Sequence, residues 1–189
     1  MTSTTTYIAF LRAVNVGGRT VRMERLRALF GELGLERVGS YIQSGNVFFT
    51  ADAADAADTA GRAALTGRIE RHLEERLGYA VPVLLRTVDE VQAVLDAEPF
   101  AGVEVTPEVR LTVNFLSEPL PADFPVPYTS PKGDYEVIGA DPGTAYVVVH
   151  LKDGKWVTTG ALFGKSYRGL ATSRFLHTTA KIVAAARKA

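Results

Sequence analysis

With 189 residues the chain can hold one large domain or two small ones. Its 47% hydrophobic and 22% charged content supports a buried core and excludes wholesale disorder. Lys plus Arg equals Asp plus Glu at 21 each, so no global field draws the chain onto nucleic acid or an anionic membrane, and the absence of cysteine excludes disulfides, thiolate metal sites and a cysteine nucleophile.

The uncharged start, Met1-Thr2-Ser3-Thr4, leads directly into Tyr7 to Val14, an apolar run whose Tyr, Ile, Phe and Val suit a central strand. No basic segment precedes a long apolar stretch as in a secretory leader, and no run approaches the ~18 apolar residues that would cross a bilayer, so a soluble cytoplasmic protein with no membrane partner is expected. Gly17-Gly18 ends the strand. Met23, Leu26, Leu29, Phe30 and Leu33 follow helical spacing, and Gly34 supplies the stop. Arg37 to Gln43 reads as a second strand, Ser44-Gly45 as a tight turn, and Asn46 to Thr50 as a third strand. The Ala/Asp run from Ala51 to Ala60 has helix propensity without an apolar face and reads as a surface linker fraying into a helix. Leu65, Ile69, Leu73 and Leu77 then mark a second amphipathic helix ending at Gly78, and Val81 to Arg86 a fourth strand.

Strand, helix, strand, strand, helix, strand is the split order of a ferredoxin-like sandwich, with helices on one face of an antiparallel sheet. Val88 to Leu95 reads as a short helix and Pro99 to Pro107 as a linker. The next strand alternates, with Val109, Leu111, Val113 and Phe115 on one face. Its Val113-Asn114-Phe115-Leu116 echoes Ile8-Ala9-Phe10-Leu11, a hint that the second half repeats the first. Pro119 to Pro131 reads as irregular surface. Tyr135 to Ala140 and Ala145 to Leu151 form a hairpin across Asp141-Pro142-Gly143, with a further turn at Asp153-Gly154. Arg174 to Lys188 is loosely helical, with Lys and Arg in its last turn. The fold expected is α+β: a plait over residues 1–86, a connecting helix and linker over 87–107, and a less regular plait with a terminal helix over 108–189.

Several familiar chemistries fail on spacing. Gly164-Lys165-Ser166 looks like the tail of a phosphate-binding loop, but the required first glycine would fall at Thr159. His72, His150 and His177 have no second ligand at metal spacing, and Asp52, Asp55 and Asp58 lack the glycine turn and terminal glutamate of a calcium loop, so neither a metal nor a cofactor is expected. No residue pair identifies an acid and a base.

The run from Tyr7 to Gly18, followed by Met23, Leu26-Arg27 and then Tyr41-Ile42-Gln43-Ser44-Gly45-Asn46-Val47-Phe48-Phe49, closely resembles the bacterial family catalogued as Domain of Unknown Function 1697. The likeness covers nearly the whole chain and is strongest in the first half. Thr172-Ser173-Arg174-Phe175-Leu176 resembles the family's C-terminal Thr-Thr-Arg-Asn-Trp signature, with Phe175 and Leu176 where the pattern has Asn and Trp. For fold the resemblance implies two ferredoxin-like plaits. For activity it implies none.

In the split order the strands lie 4-1-3-2, which brings Asn15 to Arg19 beside Gln43 to Asn46 at one end of the sheet. Two glycines ahead of a helix can turn backbone N–H groups outward as an anion cradle, with Arg12, Arg19 and Arg22 supplying charge. The plain alternative is that the glycines serve the turns and that Gln43 and Asn46 cap backbone groups. Arg12, Asn15, Gly17, Gly18, Arg19, Gln43, Ser44, Asn46 and Arg174 are therefore the candidate binding residues. The expected function is a binding module for a small anionic ligand or a protein partner. The alternatives are a single-stranded nucleic-acid binder using the sheet face, or an enzyme without metal or covalent catalysis. Neutral charge and the absence of alternating aromatics in Gly45-Asn46-Val47-Phe48-Phe49 disfavour nucleic acid, so Tyr7, Phe48 and Phe49 are expected in a core between the two subdomains. The sequence carries no signal of oligomeric state.

Overall fold

The computed structural model describes residues 4–42, 45–53, 58–158 and 162–189. The chain divides into two compact units, residues 1–93 with 180–189, and residues 94–179.

The first unit runs β1 (Thr4–Leu11), α1 (Met23–Gly31), β2 (Glu36–Ser40), β3 (Asn46–Asp52), α2 (Thr59–Leu77), β4 (Val83–Thr87) and the start of α3 (Val88–Asp96). Its antiparallel sheet has the order β2-β3-β1-β4, the expected split arrangement. Strand alternation decides the core. Tyr7, Ala9 and Leu11 of β1 and Val47 and Phe49 of β3 pack with Leu26, Leu29 and Phe30 of α1 and Leu65, Ile69 and Leu73 of α2. Tyr7 stacks on Phe49 with centroids 5.8 Å apart, and Phe30 tilts against Phe49 at 5.6 Å. This corrects the expectation that Tyr7 and Phe49 lie in a core between subdomains: both point to the helices, because they are paired directly across β1 and β3 and share one face. Phe48, one residue out of step, lies on the other face beside Gly39, where a Cβ would overlap its ring.

α2 starts earlier than periodicity indicates. Asp58 is its N-cap, accepting the Gly61 N–H at 2.7 Å, and Gly78 closes it at φ 80°. A cap sets a helix start independently of any apolar stripe, which is why the Ala-rich first turns escaped a search for periodicity. Asp55 lies outside the described residues.

The second unit contains β5 (Val109–Leu116), β6 (Tyr128–Thr129), β7 (Tyr135–Asp141), β8 (Thr144–His150), β9 (Ala171–Phe175) and the start of α4 (Leu176–Lys188). The order β6-β7-β8-β5-β9 places its four longer strands as β2-β3-β1-β4 are placed in the first sheet, so the echo between Ile8–Leu11 and Val113–Leu116 falls on corresponding strands. The crossovers differ. Among the described residues 117–127 and 151–170 hold no helix, and one sheet face is instead covered by Phe124, Leu162, Phe163 and Tyr167 packed on Leu116, Val137 and Val147. Tyr167 pins this cover, its hydroxyl 3.0 Å from the Glu118 carbonyl oxygen and 3.1 Å from that of Leu170. Two strands were not legible in the sequence: β6 inside the proline-rich segment, and β9, where residues 174 and 175 were expected to begin the terminal helix. β9 has the β-branched Thr172 but no alternating apolar pattern, and its pairing to Thr112–Leu116 of β5 makes it a strand.

Candidate functional site

β1 ends at Leu11 and β3 begins at Asn46, and their antiparallel pairing places Phe10 opposite Asn46. The two polar loops therefore adjoin at one end of the first sheet. Gly45 fastens them: its carbonyl accepts the Leu11 N–H at 2.8 Å, and at φ 72° a Cβ there would stand 3.0 Å from Val14 Cγ1 and 3.1 Å from Leu11 Cβ. Asn46, wholly buried, donates from Nδ2 to the Tyr41 carbonyl at 3.2 Å. Gln43 and Ser44 lie outside the described residues.

Gly17 and Gly18 occupy a tight turn, with φ 67° and 82° and the Arg19 N–H 3.4 Å from the Val16 carbonyl oxygen. Positive φ at both central positions is the primed turn class, which glycine enters without steric cost. Asn15 closes the same loop by accepting the Val21 N–H on Oδ1 at 2.7 Å, two residues before α1. Arg22 is the N-cap of α1 and makes no side-chain cap bond, so the first N–H groups of that helix have no side-chain acceptor at the cap position.

The arginines are held differently. The Arg19 guanidinium lies over the Tyr79 ring, 4.3 Å from its centroid, and the Tyr79 hydroxyl donates to the Val14 carbonyl at 3.2 Å. Arg12 is anchored only through its backbone, whose N–H donates to the Pro82 carbonyl at 2.9 Å. Its side chain is half-buried, and among the described residues no hydrogen bond, ion pair or ring contact reaches the guanidinium. Tyr79 and Pro82 were missed in the sequence. Their one signal is position, since they follow the Gly78 stop of α2 and lead into β4, the neighbour of β1.

With this geometry in view, a family model described as "Protein of unknown function (DUF1697)" matches residues 4–146. The chain belongs to the DUF1697 family. Its fold is similar to that of the conserved bacterial protein SP0830 from Streptococcus pneumoniae, with a TM-score of 0.67 and 22% identity over 97% of this chain and 99% of that one. No curated protein matches the chain. This DUF1697 chain is a mixed α+β fold that builds two antiparallel sheets with helices packed against them.

The segment Ala171–Phe175 of this DUF1697 chain forms β9 in the second unit. Arg174 there is 9% exposed and donates to Thr172 Oγ1 and to the Ser173 carbonyl, each at 2.8 Å. Burial pushes its guanidinium pKa down to about 10. On the other face of β9, Ser173 Oγ hydrogen-bonds Asn114 Oδ1, and Asn114 Nδ2 reaches Thr112 Oγ1 at 3.1 Å. The histidines are engaged separately. His150 Nε2 meets Glu136 Oε1 at 2.7 Å, His72 Nε2 lies 3.1 Å from Glu32 Oε2 without hydrogen-bond geometry, and His177 stacks on Phe175. Among the described residues no group of three or more His, Asp or Glu is arranged to hold a metal ion, and no helix is long and apolar enough to cross a membrane.

Proposed function

We propose that this DUF1697 protein is a cytoplasmic binding module for a small anionic ligand, held at the corner where the 12–22 segment meets the start of β3. The observation that carries the reading is Arg12, a half-buried cation whose guanidinium has no partner among the described residues. Partial burial of an unpaired charge is unfavourable, and an arriving anion relieves it through the flat guanidinium fork. The side-chain-uncapped N-terminus of α1, the glycine turn and the nearby Arg19 and Arg22 favour the same sign of charge. Asn46, which follows Gly45 at the start of β3, bounds the corner on that side.

A thermal-shift panel of phosphorylated metabolites tests it. A stabilising shift with at least one member is expected, abolished in Arg12→Ala and retained in Arg168→Ala, an exposed arginine of the second unit. No shift across the panel, or an undiminished one in Arg12→Ala, overturns the reading.

A protein partner is the second reading, favoured by two exposed apolar side chains flanking the corner, Val16 at 63% and Ile42 at 51% exposure. In that case Val16→Asp loses a co-purifying partner, while the metabolite panel is flat for the unsubstituted protein.

A further inference from the structure

The second unit holds an arginine whose hydrogen-bonding capacity is unused. Arg110, at the start of β5, lies over the Trp156 ring, 3.8 Å from its centroid, with the Phe175 ring on β9 at 5.4 Å and His177 stacked on Phe175 at 5.5 Å. The rings hold the guanidinium by cation–π attraction but accept none of its N–H groups as a hydrogen-bond partner would, and no described residue does so either. Phe175, at 39%, and Val105, at 68%, are exposed beside it.

Arg110, Phe175, His177 and Val105 line a groove of about 490 Å³ together with Val109, Leu111 and Leu176, and Trp156 reports on it through its contact with Arg110. A second groove of about 430 Å³ runs on toward Pro99, Phe100 and Val103, and the two adjoin along Val105, Leu111 and Leu176. The combined trough is mostly apolar. It carries its cation at one end and Glu98 at the other.

The geometry points to a binding site for a medium-chain acyl carboxylate, with the carboxylate on the edge of the Arg110 guanidinium and the tail laid along Val105, Leu111 and Leu176 toward Phe100. Each volume falls in the range of small-ligand sites, which are mostly apolar with a few fixed polar groups. An arginine already held over a ring loses less freedom on pairing bidentately with a carboxylate. Glu98 sets the orientation, because it repels a carboxylate entering the reverse way. An extended chain suits the two joined grooves better than a compact ring does.

Trp156 is the one tryptophan of the chain, so its fluorescence reports on this site alone. Sodium decanoate, which does not absorb at the excitation wavelength, is the probe; affinity is measured in parallel by calorimetry. Saturable binding with a Kd on the order of 1 mM or tighter is expected, accompanied by a change in Trp156 emission. Arg110→Gln and Val105→Asp should each weaken it at least tenfold by calorimetry, and 1-decanol should bind at least tenfold more weakly than decanoate. Arg12→Ala should leave decanoate binding unchanged, which separates this site from the corner in the first unit. Absent binding, undiminished binding in Arg110→Gln, or equal affinity for decanol overturns the proposal. Loss in Arg110→Gln but not in Val105→Asp overturns the acyl assignment. A dimer that Val105→Asp dissociates, without decanoate binding, makes the trough a self-association face and likewise overturns it.

Discussion

At residue scale the sharpest constraint is Gly39. It faces Phe48 across β2 and β3, and a Cβ on it would fall within the Phe48 ring. Phe48 is itself 5% exposed, so Gly39→Ala is an overpacking substitution costing about 1–3 kcal/mol. The urea midpoint should fall accordingly, and Phe48→Leu in the same chain should recover part of the loss. An unchanged midpoint would show that the ring yields. Gly45 is constrained twice over, by its φ of 72° and by Val14 and Leu11. The sequence marked Gly45 as a turn residue but gave no sign of the constraint at Gly39, because a glycine beside a valine in a short strand carries no local signature of the ring opposite.

At element scale α3 shows how one helix start combines several weak interactions. Thr87 Oγ1 accepts the Glu90 N–H at 3.1 Å, and Glu90 Oε2 accepts the Thr87 N–H at 2.7 Å, a reciprocal capping box. Arg62 on α2 then pairs with Glu90 at 2.8 Å. Burial raises the Glu90 pKa, but the Thr87 N–H and Arg62 outweigh it, and the net direction is downward. Thr87→Ala should cost about 1 kcal/mol of stability, read from chemical denaturation. The Glu90 pKa should stay below 4.5 in that variant, because the main-chain N–H at position 87 remains, whereas Arg62→Ala should move it back toward 4.5, read by carboxyl NMR titration. A pKa that does not move in Arg62→Ala would assign the depression to that N–H and to Arg86. The Thr-x-x-Glu spacing was present in the sequence, yet the helix was recognised only from Val88, Val91, Val94 and Leu95; the cap is legible once side-chain bonds are seen.

At the scale of the whole molecule, net charge is zero and the electrostatic contribution to stability rests on particular carboxylates. Glu32 is the hub of one cluster, bonded by Arg76 at 2.6 Å, with Arg25 and His72 nearby; the Arg76 hydrogen bond is the main reason that its pKa is lowered. Glu90 is lowered as well. A depressed carboxyl contributes its stabilisation above its unfolded pKa, near 4.5 here, and loses it as pH falls through the folded value. The melting temperature should therefore drop below about pH 4.5, and less steeply in a Glu32→Gln, Glu90→Gln double variant, measured by calorimetry from pH 7 to pH 3. An equally steep drop in the double variant would place the acid sensitivity elsewhere.

The sequence by itself determined the first sheet, because alternation, helical spacing and glycine stops all agree along Tyr7–Arg86, and strand order then forces the Asn15–Arg19 and Gly45–Asn46 loops to one end. It also marked the family and the hairpin at Pro142-Gly143. Tertiary structure alone decided which face Tyr7 and Phe49 take, that Tyr79 stacks with Arg19 while Arg12 keeps no described partner, and that Thr172-Ser173-Arg174 forms a strand. It also decided that aromatic loops replace helices over the second sheet. The physical reason is range. Periodicity and turn chemistry act over a few residues, whereas Arg110 meets Trp156, and β9 finds β5, only through contacts between segments more than 40 residues apart.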